Sequence, residues 1–169
     1  VTGLKDNGKG IDVSFEGPEG QTTETFSRVL VAVGRRPNSD GIGLENTDVV
    51  MDSKGFVEVD KQQRTADSHM LAIGDVCGEP MLAHRASHQG KVAVESLHGE
   101  PALFEPRAIP AVVFTDPEIA WAGLTEQEAE LSGREIEVSR YPWAASGRAH
   151  ALGRIEGMTK MLVDPETEQ

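Results

Sequence analysis

Asp75 is the residue whose type and position most clearly indicate chemistry in this sequence. It follows Gly74 at the end of a short apolar run, residues 70–73, which has the composition of a buried strand. In α/β sheets, ligands bind at the carboxyl ends of strands, so a carboxylate at this point is placed to accept hydrogen bonds from sugar or ribityl hydroxyls. An ordinary Gly-Asp turn explains the same two residues equally well.

A helix is predicted to begin soon after Asp75, at Pro80, and to end before Gly99. Its apolar residues recur at helical spacing and should form one buried face. These residues are Leu82, Ala86, Ala93, Val94 and Leu97. The amides of the first turn have no acceptor within the helix and favour negative charge. Because a reduced flavin carries negative charge at its pyrimidine end, this helix start is a candidate flavin site; a solvated or capped helix end is the alternative.

The other polar candidates give weaker signals. His84 and His88 share a helical face at a spacing that zinc can use, but no further ligand stands at a convincing distance in the sequence. Gly34 follows an apolar run, where it either lets a nucleotide approach or simply ends a strand. Cys77 is the only cysteine and is expected to be a buried or half-buried thiol. The sequence has no G-x-G-x-x-G, no C-x-x-x-x-C and no evident nucleophile or general base.

Composition narrows the class of partner. The 169 residues carry a formal net charge of −12 and a pI near 4.8, so we expect neither nucleic acid nor an anionic membrane as a partner. A hydrophobic content of 38% and a mean hydropathy of −0.34 are typical of a soluble globular protein. No apolar run approaches the roughly 20 residues of a membrane span. The lone cysteine and the lack of a visible signal peptide favour the cytoplasm.

The hydrophobic pattern predicts an α/β protein, or α+β for this stretch alone. Its strands are expected at residues 11–15, 26–33, 56–59, 70–73, 109–114, 119–122, 135–141 and 158–163. The centre of the second strand, residues 29–33, is continuously apolar, which is typical of a strand buried on both faces. Thr125 and Glu128 have the spacing of a capping box at the start of a short helix, and Gly133 is expected to end that helix.

Several motifs together resemble the dihydrolipoamide dehydrogenase family, whose members are flavin-dependent pyridine nucleotide–disulfide oxidoreductases. The matching segments are residues 29–38, 64–65, 71–75, 80–84, 109–118, 120–126 and 142–149. The A-I-G-D sequence at residues 72–75 indicates only the superfamily. The sequences P-M-L-A-H and P-W-A-A-S-G-R-A are more specific and point away from glutathione and mercuric reductases. The resemblance covers nearly the whole chain.

This resemblance implies three domain segments. Residues 1–36 would end an NAD-binding domain, residues 37–103 would be the returning segment of an FAD-binding domain, and residues 104–169 would begin a dimer-interface domain. The implied activity is the reoxidation of protein-bound dihydrolipoamide with FAD and NAD⁺. The implied partners are a second copy of the protein, bound through the C-terminal domain, and the lipoyl domains of 2-oxoacid dehydrogenase complexes or of the glycine cleavage system.

The resemblance also implies roles for single residues. Asp75 would bind the ribityl chain of FAD, and Gly34 would contact NAD. The residues that would line the flavin are Met81, Leu82, Ala83 and His84.

The chain departs from the family pattern in what it lacks. The FAD and NAD fingerprints and the redox-active cysteine pair would precede Val1, and the catalytic His-Glu pair would follow Gln169. Strand-like and turn-like sequences at the two ends also suggest a cut chain, so we expect a fragment with no catalytic residue of its own. Cys77 matches neither redox cysteine. Two alternatives stay open: a non-catalytic dimerisation or binding module, and another flavin disulfide reductase or NADH oxidase of the same superfamily.

Overall fold

A computed structural model describes residues 1–168 of the chain. The chain forms two compact units, Val1–Arg36 and a second unit that begins at Pro37. The mixture of helices and strands predicted from the sequence is confirmed, with three α-helices and seven strands in the described residues.

The first unit is a three-stranded antiparallel sheet in the order β1-β2-β3. Strand β1 spans Gly3–Asp6, β2 spans Ile11–Gly17 and β3 spans Gly20–Phe26. The predicted strand over residues 11–15 is confirmed as part of β2, and Gly17 pairs with Gly20 at the end of the β2–β3 hairpin. Val13 is the buried residue of this sheet, at 4% exposure.

The prediction of a strand over residues 26–33 is wrong. The ladder ends at Phe26, and no strand is assigned to residues 27–33. Leu30 and Val33 are 90% and 93% exposed. A strand buried on both faces needs a neighbour on each edge and cover on each face. Among the described residues no strand pairs with this run, so its apolar character alone does not make it a strand.

The second unit begins with irregular chain held by short pairings. A 3₁₀ turn spans Leu44–Asn46, and isolated bridges join Met51 to Val57 and Arg64 to Leu71. The prediction of strands at residues 56–59 and 70–73 is therefore wrong. Each segment contributes only one isolated bridge, through Val57 and Leu71. The reason is again the lack of a continuous partner, since each segment forms only scattered backbone bonds, such as Val57 N–H to Val76 O at 2.8 Å.

Helix α1, Ala83–Leu97, is the longest helix of the described chain. It begins three residues after the predicted start at Pro80, and Gly99 lies just beyond its end as predicted. Its predicted apolar face is only partly buried: Ala93 is buried and Leu82 and Ala86 are half-buried, whereas Val94 and Leu97 are 67% and 62% exposed. The buried residues are Arg85, Gln89, Val92, Ala93 and Ser96. The buried face carries polar groups because Arg85 and Gln89 form hydrogen bonds with the backbone of the irregular segment that contains Gly74 and Gly78.

The last part of the chain contains two antiparallel hairpins and two short helices. Strand β4, Ala111–Val113, pairs with β5, Ile119–Trp121, and β6, Glu137–Pro142, pairs with β7, Met158–Val163. Helix α2 spans Glu126–Ser132 and α3 spans Gly147–Leu152, preceded by a 3₁₀ turn at Trp143–Ala145. The four strands predicted in this region are confirmed, and none of their ends differs from the prediction by more than two residues.

One carboxylate ties helix α2 to the β6–β7 hairpin. Glu126 accepts hydrogen bonds from Arg140 Nη2 at 2.5 Å and from Lys160 Nζ at 2.6 Å. The hydrogen bond from Lys160 is the main cause that lowers the pKa of Glu126, followed by the charge of Arg140. Within residues 1–168 no helix has the length and the apolar character needed to cross a membrane.

The capping box predicted for α2 is confirmed. Glu128 N–H donates to Thr125 Oγ1 at 3.2 Å, and the Thr125 amide donates back to the Glu128 carboxylate at 2.9 Å. The hydrogen bond from the Thr125 amide is the main cause that lowers the pKa of Glu128 below its ordinary value of 4.5. Gly133 ends the helix with a φ of 65°.

Replacing Glu128 by alanine should therefore lower the free energy of unfolding more than Glu130→Ala, which makes the same change on an exposed side of α2. A carboxyl group whose folded-state pKa is lowered stabilises the fold above its unfolded-state pKa, and this contribution is lost as the pH falls through the folded-state pKa. Urea unfolding at a series of pH values measures both effects. A difference between the two variants that persists after Glu128 is protonated would contradict this role.

Candidate functional site

The candidate site is formed by a 3₁₀ turn and the start of helix α1. The turn spans Gly74–Cys77 and packs against α1. Gly74 is buried, and its amide donates to Gln89 Oε1 at 2.8 Å. Gln89 is 1% exposed, so this bond joins two groups that are both removed from water.

Arg85, one turn before Gln89 on the same stripe of α1, also bonds to this turn. Its Nη1 atom donates to Gly78 O at 2.7 Å and to Gly74 O at 3.3 Å. The residue is buried, at 8% exposure, and its guanidinium lies 6.0 Å from the centre of the Phe104 ring. The segment that carries Asp75 is thus bonded to one helix at both of its ends.

Gly74 has a backbone conformation that favours glycine. Its φ is +78°, and a Cβ atom at this position would lie 3.0 Å from the Ala86 Cβ atom. Both facts allow the turn to approach α1 closely. The close approach is what brings the Gly74 amide within reach of Gln89.

The structure brings five of the six predicted site residues into two adjoining segments. Asp75 lies in the first turn of the 3₁₀ segment and is exposed. Met81 and Leu82 are half-buried, whereas Ala83 and His84 are exposed. Leu82 is the N-cap of α1 and makes no side-chain capping bond, so the helix start is formed by backbone alone.

Gly34, the sixth predicted residue, belongs to the first unit. Its φ is +140°, and a Cβ atom there would have no heavy atom within 4 Å. The glycine therefore leaves open space beside the backbone.

The two histidines that share a spacing for zinc have different partners. His84 Nε2 lies 2.9 Å from Pro110 O, and because a carbonyl oxygen only accepts, this nitrogen must carry the proton. The His88 ring packs edge to face on Phe104, with 5.1 Å between ring centres. Among residues 1–168 no group of three or more His, Cys, Asp or Glu side chains is arranged to hold a metal.

Cys77 is half-buried, as the sequence suggested. Burial raises the pKa of its thiol to about 11, and the positive charge of Arg85 only partly offsets this rise. The thiol is therefore protonated near neutral pH and is a poor nucleophile.

The arrangement combines an exposed acceptor with a favourable position for negative charge. The Asp75 carboxylate can accept hydrogen bonds from hydroxyl groups of a ligand. The start of a helix of this length attracts anionic groups. The site can therefore hold a polyhydroxylated, negatively charged ligand, and we find no nucleophile or general base beside it among the described residues.

Sequence reasoning missed Arg85 and Gln89. Both were hidden because polar residues on a helix are normally assigned to its solvent face. A signal was present, since Arg85, Gln89, Val92 and Ser96 recur at spacings of three and four and form one stripe. Val92, which belongs to this stripe, and its neighbour Ala93 are apolar and mark this side of the helix as the buried one.

Comparison with known families decides the class of the chain. The family model described as pyridine nucleotide-disulphide oxidoreductase matches residues 1–90. The chain belongs to this family. A second model, the dimerisation domain of pyridine nucleotide-disulphide oxidoreductases, matches residues 109–169.

Members of this oxidoreductase family with similar sequences are named dihydrolipoyl dehydrogenase. The one from Haemophilus influenzae is 46% identical over 169 residues, which is 100% of this chain and 35% of that protein. The one from Bacillus subtilis is 42% identical over 97% of this chain and 35% of that protein. The chain thus spans about a third of the length of these relatives.

Solved structures of other proteins share the fold of this chain. LpdA from Mycobacterium tuberculosis matches 98% of this chain with a TM-score of 0.85 and 28% identity, over 36% of that chain. The HOCl-induced flavoprotein disulfide reductase RclA from Escherichia coli matches 95% of this chain with a TM-score of 0.81 and 26% identity, over 37% of that chain.

Gly74→Ala tests the close approach of the turn to the helix, with Gly99→Ala as the matched control. Both glycines have a positive φ, at +78° and +91°, but a Cβ atom at Gly99 would meet nothing within 4 Å. Backbone strain should lower the free energy of unfolding by about 1–2 kcal/mol in each variant. The contact with Ala86 should lower it by roughly a further 1–3 kcal/mol in Gly74→Ala alone. Equal losses in denaturant unfolding would contradict the packing described here.

Proposed function

We propose that this chain is part of a dihydrolipoyl dehydrogenase, which reoxidises protein-bound dihydrolipoamide and passes the electrons through FAD to NAD⁺. The observation that carries the proposal is the pairing of the exposed Asp75 carboxylate with the start of α1, held together by the Gly74–Gln89 bond. The identities of 42–46% to proteins of that name support the choice of substrate.

The residues of the site fit FAD. Asp75 would accept hydrogen bonds from the ribityl hydroxyls, and its exposure leaves the carboxylate available to a ligand. The amides at the start of α1 would face the end of the flavin that becomes negative on reduction. The residues proposed to line the ring are Met81, Leu82, Ala83 and His84. When bound, the flavin supplies the transfer of electrons between the dithiol and the nicotinamide.

The same proposal assigns the domains. Residues 1–36 would belong to the NAD-binding domain, and Gly34, where a Cβ atom would meet nothing within 4 Å, would contact the dinucleotide. Residues 37–103 would belong to the FAD-binding domain and residues 104–169 to the dimerisation domain. The match of residues 109–169 to a dimerisation-domain model supports a homodimer.

The remaining partners would be lipoyl domains of acyltransferase subunits, and the compartment would be the cytoplasm.

A second candidate is another flavin-dependent disulfide reductase with the same scaffold. The structural likeness to RclA, at a TM-score of 0.81, favours it. In this case the site for FAD is the same, and only the disulfide substrate differs.

The activity is tested with the complete protein that contains this chain. We expect a yellow, FAD-containing protein that reduces NAD⁺ in the presence of dihydrolipoamide. A flavin-containing protein that turns over another disulfide but not lipoamide would contradict the substrate and favour the second candidate. A complete protein that binds no flavin would contradict both.

The role of Asp75 is tested by Asp75→Ala in the same protein. Loss of charge-assisted hydrogen bonds should weaken FAD binding by roughly 1.5–3 kcal/mol, at least a tenfold rise in the dissociation constant. The control is Glu58→Ala, which also removes an exposed carboxylate of the second unit. Flavin content after dialysis and titration of the apoprotein with FAD give the two constants. Equal constants for the two variants would contradict the placement of Asp75.

A further inference from the structure

We propose that Arg85 and Gln89 are positioning residues for FAD: they fix the turn that carries Asp75 in the conformation in which its carboxylate meets the ribityl chain. This inference rests on the proposed function. It adds two residues of α1 that touch the backbone of the turn rather than the ligand.

The first argument is where the bonds lie. Arg85 donates to Gly74 O and Gly78 O, at 3.3 and 2.7 Å. Gln89 accepts the Gly74 amide at 2.8 Å. Asp75 directly follows the residue that both side chains hold. A change at either helix residue therefore acts on the direction in which the carboxylate points.

The second argument is the state of the Arg85 charge. Its side chain is 8% exposed, and in residues 1–168 no carboxylate forms an ion pair with it. A buried cation is costly without compensation. Here the compensation comes from two backbone carbonyls and the face of the Phe104 ring. The hydrogen bonds of the guanidinium thus go to the backbone of one turn, at Gly74 and Gly78.

The third argument is that the turn has little else to hold it. No strand precedes Gly74, since residues 70–73 form only the bridge between Leu71 and Arg64. Apart from the hydrogen bonds within the 3₁₀ turn itself, the one further backbone hydrogen bond of the turn in the described chain runs from Val57 N–H to Val76 O, at 2.8 Å. Helix α1 therefore supplies three of the four hydrogen bonds that join residues 74–78 to other segments of the described chain.

A thermodynamic cycle on FAD binding separates positioning from general stability. In the complete protein, Arg85→Met should raise the FAD dissociation constant about tenfold, because a hydrogen-bonding charge is lost. In the Asp75→Ala background, Arg85→Met should raise the FAD dissociation constant less than about threefold. The reason is that the carboxylate that Arg85 would position is already absent from that background. Fluorescence titration of the apoproteins with FAD measures all four constants.

Three variants complete the test. Arg85→Lys should restore part of the affinity, because an ammonium group can also donate to two carbonyls. Gln89→Met keeps the volume, removes the acceptor for Gly74 and should raise the dissociation constant roughly fivefold, again with coupling to Asp75. It also serves as the probe if Arg85→Met does not fold. Lys91→Met is the control, since Lys91 lies on the same helix with its side chain 72% exposed, and it should leave FAD binding unchanged.

The outcomes distinguish this inference from the proposal beneath it. If Asp75→Ala leaves FAD binding unchanged, the proposed flavin site is wrong and the inference falls with it. A second outcome is that Asp75→Ala weakens FAD binding, but Arg85→Met and Gln89→Met raise the dissociation constant by the same factor with and without Asp75. The proposed flavin site would then be supported and the positioning role would be wrong. Effects of the same size in both backgrounds would mean that the two residues only stabilise the fold.

Discussion

The hydrogen bond from the Gly74 amide to Gln89 Oε1 is the constraint on which the rest of the site depends. At 2.8 Å it joins a 3₁₀ turn to a helix through two groups that are shielded from water. A buried amide left without an acceptor costs about 1–3 kcal/mol, so the turn and the helix are coupled in position. Because Asp75 follows Gly74, and the helix start precedes Gln89 by less than two turns, the same bond fixes the distance between the two features that suit a flavin.

Helix α1 also anchors the chain that follows it. The Phe104 ring contacts the Arg85 guanidinium and makes a T-shaped contact with the His88 ring. Its amide donates to Lys61 O at 2.8 Å, which ties it to an earlier loop. His84 then reaches Pro110 O, one residue before strand β4. The helix therefore holds the candidate site on one side and the approach to the next hairpin on another.

Predictions from the sequence succeeded where residues within a few positions decide the structure. The capping box of Thr125 and Glu128 and the end of α1 before Gly99 both depend on local chemistry. They failed at residues 26–33 and 70–73, whose apolar runs specify burial but not a neighbour. Strand β3 was missed for the opposite reason, because Gly20–Phe26 is polar and exposed and is a strand only through its pairing with β2.

The same distinction applies to the site. Asp75 and the start of α1 follow from a strand-like run, a turn and a helix signal, which are all readable along the chain. Arg85 and Gln89 do not, because their partners are backbone groups of a turn whose path is set by tertiary structure. The side-chain types became informative only after Gly74 and Gly78 were seen beside the helix.

The polar stripe of α1 follows from what it has to hold. A glycine-rich turn directs its amide and carbonyl groups in several directions, and an apolar helix face would leave Gly74 and Gly78 unpaired. A guanidinium reaches two carbonyls at once, and a carboxamide oxygen accepts an amide without adding a charge. Apolar packing is then concentrated further along the same face, at Val92 and Ala93. The helix is thus divided along its length, with its first two turns holding the turn of the candidate site and its later turns contributing to the hydrophobic core.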